Sequence, residues 1–172
     1  DDNELKKQVI GRGGVAVMVS PRWRDYTHLI EADSKGRYVV FAVGDWTVVG
    51  VYFNGDLLSK DWYEVLGIIA ETFRSRPNSP VLWCGDFNAH HERLTGSEKT
   101  CRIGNKIERV CRSAGPPLRF INPRGIPTFY RSRSEGGQTE ASSILDWMVT
   151  NEVGKARLLR DVQVDPYEEC IA

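Results

Sequence analysis

The sequence predicts an α/β (α+β) domain built on mixed strand pairing. Three observations carry that reading. Short β-prone segments recur along the whole 172-residue chain. Only two stretches carry a helical apolar stripe. Several consecutive strands have no helix between them, and a parallel neighbour needs a long crossover, so their pairing has to be antiparallel or mixed. The length fits one domain over 1–172, with 1–12 as an N-terminal extension, and no repeat or linker divides it.

The elements follow in order. Val15-Ala16-Val17-Met18-Val19-Ser20 reads as a strand over 15–20. Strands follow over 38–43 and 46–52, and Gly44-Asp45 between them is a two-residue hairpin turn. A helix is predicted over 62–73, where Trp62, Val65, Leu66, Ile69 and Phe73 fall on one stripe that packs on a sheet. Asp61 is placed to cap it, with Glu64 three residues on as a capping box. Residues 81–84 form a buried strand, and Gly85 lets the chain turn where it ends. A second helix is predicted over 106–113, with Ile107, Val110, Cys111 and Ala114 apolar and Pro116-Pro117 barring continuation. Further strands are expected at 128–130, 144–150 and 158–164, and the polar, glycine-containing stretch 132–142 is a surface excursion.

Hydrophobic residues make up 41% of the chain, enough for a real core. Lys plus Arg and Asp plus Glu both number 23, so overall charge does not by itself select a nucleic-acid partner. The local distribution is more informative. Arg102, Lys106, Arg109 and Arg112 precede Arg119, Arg124, Arg131 and Arg133. A phosphate-facing rim and solvated charge on loops and one helix face are both open readings. No apolar stretch approaches a membrane span, and the first residues show no signal-peptide pattern. The four cysteines form no Cys-x-x-Cys pair, which fits reduced, intracellular protein. His90, His91, Cys101 and Cys111 match no common zinc spacing.

Two segments carry chemistry. The strand ending at Cys84 runs into Gly85-Asp86-Phe87-Asn88-Ala89-His90-His91, which delivers a carboxylate and an amide, two positions apart, to the rim of a sheet. That pair suits a phosphate and a water beside a hard metal ion. The plain alternative is an Asx-rich turn after a core strand. In the second segment, Ser143-Ile144-Leu145-Asp146-Trp147-Met148, an aspartate stands inside a β-prone run, where aspartate is depleted. The strand period puts Asp146 on the face of Ile144 and Met148. Its alternative is a carboxylate bonded to backbone at a sheet edge.

GDFNAHH, then Pro127-Thr128-Phe129-Tyr130-Arg131, then Ser143-Ile144-Leu145-Asp146-Trp147, taken in order with Gly13-Gly14-Val15-Ala16 and with Val51-Tyr52 at a strand end, resemble the endonuclease/exonuclease/phosphatase superfamily. The likeness is greatest to the endonuclease domain of non-LTR (LINE-type) retrotransposons and covers roughly residues 11 to 172. It implies two packed mixed β-sheets flanked by helices, a four-layer sandwich of the DNase I-like type, and Mg²⁺-dependent cleavage of DNA. It also implies site roles. Asp86 orients and deprotonates the attacking water and is a possible metal ligand. Asn88 donates to a phosphate oxygen, and Tyr52 stands by the same phosphate. Asp146 orients an imidazole, while Thr128, Ser143 and Arg131 hold the site or the substrate. His90 and His91 are given no direct catalytic role.

The chain also departs from the pattern. The family's strand with an asparagine and its strand with a metal-binding glutamate would lie before Gly13, where only Asp1 to Arg12 stand. Glu169 occupies the place of the family's terminal histidine, and a carboxylate repels a phosphate. The expectations are therefore two. One is a metal-dependent phosphodiesterase acting on DNA, impaired in this chain. The other is an inactive descendant that serves as a nucleic-acid-binding (DNA or RNA) or protein–protein module. Either way the N-terminal strands are expected to be missing, and a protein partner or an upstream segment to complete the fold. The resemblance places the protein in the nucleus.

Overall fold

The computed structural model describes residues 14–53, 59–113, 118–122, 125–131 and 141–157. Their centre is a six-stranded sheet. Its strands are β1 (Thr27–Ala32), β2 (Tyr38–Val43), β3 (Trp46–Tyr52), β4 (Val81–Asp86), β5 (Arg119–Phe120) and β8 (Asp146–Thr150), in the order β1-β2-β3-β4-β8-β5. β6 (Phe129–Arg131) and β7 (Ala141–Ser143) pair as a second, two-stranded sheet. The helices are α1 (Ser59–Arg74), α2 (Glu92–Thr95), α3 (Arg102–Ser113) and α4 (Glu152–Arg157). The mixed α/β class is as predicted.

β3 and β4 pair in parallel, and α1 lies between them in the chain; the other neighbours in the six-stranded sheet are antiparallel. β2 and β3 have the predicted bounds, and Val43 pairs with Trp46 across the Gly44-Asp45 turn. Gly44 has φ +59, a conformation that glycine adopts without steric cost.

One face of the sheet is covered. Val40, Val49, Val51, Trp83, Trp147 and Val149 are buried with the α1 stripe of Trp62, Val65, Leu66, Ile69 and Phe73 and with Ile107 and Cys111 of α3. Aromatic rings knit this core. Phe53 stacks on Trp62 with ring centroids 3.9 Å apart, and Phe87 stacks on Trp147 at 5.1 Å. The other face is also apolar, carrying Val39, Phe41, Val48, Leu82, Cys84 and Met148, but it is only half-buried.

Several expectations are corrected. Residues 15–20 are not a strand; they run into a 3-10 turn, Pro21–Tyr26. Val15 instead lies over Gly50, where an added Cβ would stand 3.1 Å from its Cγ1. The sheet gains an unforeseen edge strand, β1, and β5 and the short helices α2 and α4 were also unforeseen. α3 starts earlier than predicted, at Arg102. Asp61 and Glu64 are not a capping box, because α1 begins at Ser59. Both carboxylates instead accept from Arg37 Nη1, at 3.1 and 2.8 Å. The 144–150 segment is not one strand, since β8 begins at Asp146. Asp146 keeps the face of Met148 but is exposed, whereas Ile144, before the strand, is buried. Residues 1–12, Pro116-Pro117, 132–140, the strand expected at 158–164 and Glu169 lie outside the described residues.

Candidate active site

Strand register brings three of the predicted residues into one row. Tyr52 of β3 pairs with Asp86 of β4, and Asp86 pairs with Asp146 of β8. Directly paired residues share a face. With strands about 4.7–4.9 Å apart, the row spans about 10 Å, the reach of a phosphate and its neighbours. It lies at the end of the half-buried apolar face, one pleat beyond the row of Gly50, Cys84 and Met148.

Backbone geometry at Gly85 makes the row possible. Gly85 has φ +137, and a Cβ there would stand 2.0 Å from the carbonyl oxygen of Val51. Only glycine lets β4 approach β3 this closely. Past Asp86, the Phe53 N–H donates to the Asp86 carbonyl at 2.8 Å and the Phe87 N–H donates to the Leu145 carbonyl at 2.8 Å. The exit loop is thereby tied to both flanking segments.

Asn88 organises that loop. It has φ +42, in the left-handed region that asparagine tolerates better than most residues. Its backbone N–H donates to Asp86 Oδ1 at 2.8 Å, closing an Asx turn. Its side-chain Nδ2 donates to the Phe53 carbonyl at 2.7 Å and to Asp86 Oδ2 at 3.2 Å. Both amide hydrogens are engaged, so Asn88 reaches a phosphate only by exchanging the longer bond. The Asx-turn alternative and the functional reading therefore coexist: the turn is what aims the carboxylate.

The half-buried Asp86 carboxyl is raised above the ordinary aspartate range, first by burial and then by the charge of Asp146; the Asn88 N–H opposes the shift. Raised basicity suits a group that takes a proton from water. Asp146 is exposed and held from behind. Thr128 Oγ accepts from the N–H groups of Leu145 and Asp146, both at 3.0 Å. Thr128 thus positions Asp146 through the backbone. Asn122, which the sequence reading passed over, donates to the Asp146 carbonyl at 2.9 Å and accepts from the Met148 N–H. An asparagine before a proline is a turn signal, and Asn122-Pro123 was legible to that extent. Ser143 pairs with Phe129, and Arg131 with Ala141, in the β6–β7 sheet.

The two histidines after the loop help to seat it, His91 through its side chain and His90 through its backbone. His91 is buried and caps α2, its Nδ1 accepting from the Leu94 N–H at 3.2 Å, while its Nε2 lies 3.4 Å from Glu108. The His90 carbonyl accepts from the Cys101 N–H at 3.0 Å, and Gly104 sits so near that a Cβ would stand 2.2 Å from the same oxygen. The loop is therefore seated on the start of α3. Cys84, Cys101 and Cys111 are free thiols, as expected.

Among the described residues, no cluster of three or more histidine, cysteine or acidic side chains is placed to hold a metal ion. Two carboxylates, Asp86 and Asp146, do face each other. That number suits Mg²⁺, which binds through one or two carboxylates with substrate phosphate and water completing its shell. Among the described residues no helix is long and apolar enough to cross a membrane.

The sequence model of a family described as endonuclease-reverse transcriptase matches residues 46–168. Among solved structures, the endonuclease domain of TRAS1, a telomere-specific non-LTR retrotransposon, is similar at a TM-score of 0.57 and 24% identity, over 68% of this chain and 51% of that one. The chain thus spans about half the length of that domain. The likeness supports the DNase I-like fold inferred from the motifs. A comparison with curated protein sequences finds no match.

Proposed function

This chain belongs to the endonuclease-reverse transcriptase family, and on that premise we propose that its Tyr52–Asp86–Asp146 row hydrolyses phosphodiester bonds of DNA with Mg²⁺, at a reduced rate. The observation that carries the reading is the row itself, which gathers a phenol and two carboxylates from three strands at one rim. Asp86 takes the proton of the attacking water, and its burial raises its affinity for that proton. Asn88 fixes both oxygens of that carboxylate and so sets the direction of proton transfer. Asp146 would hold the Mg²⁺, which supplies positive charge to the phosphate when bound, and Asp86 is left free to act as the base. Tyr52 closes the row on the far side and donates to a phosphate oxygen, while Arg131 and Ser143 contact the substrate strand.

The reduced rate follows from what the row lacks. Among the described residues no imidazole stands in it: His91 caps α2, His28 lies on the edge strand β1, and His90 follows the loop, bonded through its carbonyl to the Cys101 N–H at the start of α3. Loss of one preorganised charge-stabilising group costs about 10²–10³ in rate. A second reading, a module that binds nucleic acid or protein without cutting, draws on the absence of a third ligand beside the carboxylate pair among the described residues. In both readings a further segment or a protein partner covers the half-buried apolar face, and the work is done in the nucleus.

Nicking of supercoiled plasmid in Mg²⁺ tests the proposal. Slow nicking that Asp86→Ala abolishes is the expected result. Nicking no faster than that of Asp86→Ala leaves the second reading.

A further inference from the structure

The three cations Arg102, Lys106 and Arg109 fall at i, i+4 and i+7 of α3 and so share one stripe. The opposite flank is neutralised. Glu108 sits 2.7 Å from Arg112, 3.6 Å from Arg93 and 3.4 Å from His91. Of the four cations that the sequence places on this helix, Arg112 is therefore paired. Among the described residues the other three have no carboxylate partner. Beside them stands Tyr63 of α1, itself 58% exposed. The Lys106 ammonium lies 3.9 Å from the centre of the Tyr63 ring.

Like charges one turn apart weaken a helix. An unpaired stripe on a chain of zero net charge is a local excess with nothing in the described fold to balance it. The Tyr63 hydroxyl is held below its ordinary range by Lys106 first and then by Arg102 and Arg109, so all three cations act on the same spot.

We propose that this stripe, Arg102–Lys106–Arg109 with Tyr63, is a second nucleic-acid contact, on the helical layer, that binds the phosphate backbone. Its span supports this. Seven residues of helix rise about 10 Å, and one DNA strand presents a phosphate about every 3.4 Å along its axis, so three cations meet about three phosphates. The N-terminal end of the stripe is tied to the exit loop of the candidate active site: Arg102 follows Cys101, whose N–H is bonded to the carbonyl of His90, and His90 lies two residues past Asn88. Arginine forks match phosphate oxygens in pairs, and the lysine adds a point charge. The choice of nucleic acid over an acidic protein rests on the reading given under Proposed function; the charge geometry does not.

The test measures binding without cleavage, so it fails or succeeds apart from that reading. A fluorescent DNA duplex is titrated with the whole chain in chelator, without Mg²⁺, across a range of salt. The triple variant Arg102→Gln/Lys106→Gln/Arg109→Gln should bind at least tenfold more weakly at low salt, and its slope of log affinity on log salt should shrink by about 2–3, near 0.9 per lost phosphate contact. A control of equal charge change, Arg74→Gln/Arg76→Gln/Lys155→Gln, should leave the slope as it was. Should the triple variant fail to match the wild-type far-UV spectrum, Arg102→Gln and Arg109→Gln are taken singly, and each should remove about one unit of slope. An unchanged slope, equal losses in both triple variants, or no binding by the wild type would overturn the proposal. So would displacement of the duplex by polyglutamate at matched charge, which would point to an acidic protein partner.

Discussion

Asp86 stands directly across from Asp146 in the β4–β8 pairing, so two carboxylates share one face of the sheet at its rim. Burial lifts the Asp86 carboxyl above its ordinary value, and the facing charge lifts it further. Removing that charge favours the ionised form, so Asp146→Asn should move the Asp86 titration to lower pH. Carboxyl carbon resonances followed against pH report it directly. An Asp86 curve that Asp146→Asn leaves in place would mean that the two side chains do not sense each other. Any activity that uses Asp86 as a base should show an acid limb that shifts the same way.

Gly85→Ala puts a methyl group into the carbonyl of Val51 at a backbone angle that only glycine adopts freely. The expected loss of stability exceeds about 2 kcal/mol, because backbone conflict cannot be relieved by a rotamer change. Urea unfolding measures it. A variant as stable as the wild type would show that β4 passes β3 with more room than the described structure gives it.

Arg37 ties the β1–β2 turn to α1. Its Nε and Nη2 fork onto Asp33 at 2.7 and 2.8 Å, its Nη1 reaches Asp61 and Glu64, and its carbonyl accepts from the Tyr52 N–H at 2.9 Å. Arg37→Met leaves the buried Asp33 without its cation, while Lys35 still reaches Asp61, and should cost about 3–5 kcal/mol by urea unfolding. The bonds from Arg37 bring Asp33 from 3.8 down to about 2. A depressed acid stabilises the fold above its unfolded value, so the Asp33 contribution is full above pH about 4 and lost as pH falls toward about 2. The urea midpoint of the wild type should therefore drop across that window, and that of Arg37→Met should drop less.

Parts of this fold were plain from the sequence, and parts depended on partners far along the chain. The bounds of β2 and β3 and the turn between them came from local chemistry, two β-prone apolar runs broken by Gly44-Asp45. The α1 stripe was legible because all five of its apolar residues are buried on one core. β1 was invisible because an edge strand with nearly every residue exposed has no alternation to read. Asp61 and Glu64 have the spacing of a cap, but the partner that claims them, Arg37, is more than twenty residues upstream. At the site, the residue types were readable and the register was not. Nothing local says that Tyr52 and Asp146 flank Asp86 on the same row; strand order does.

Among the described residues no strand pairs with the outer edge of β1, and that edge with the apolar face beside it carries a further expectation. Met18 is 98% exposed, and Leu29, on the edge strand β1, is 65% exposed. Exposed apolar surface on a sheet edge favours association. The isolated chain should sediment as more than a monomer at micromolar concentration, and Met18→Lys with Leu29→Lys should shift it toward monomer. A wild-type chain that stays monomeric throughout sinks the idea.

The row also sets when the site can exist. β3, β4 and β8 come off the ribosome in that order, and the carboxylate on β8 arrives long after the other two. Pairings this far apart in sequence form late, since the chain between them must first be closed into a loop. A nascent chain that has released β3 and β4 alone holds half a site. The row of Tyr52, Asp86 and Asp146 is thus complete only once β8 has emerged and paired with β4.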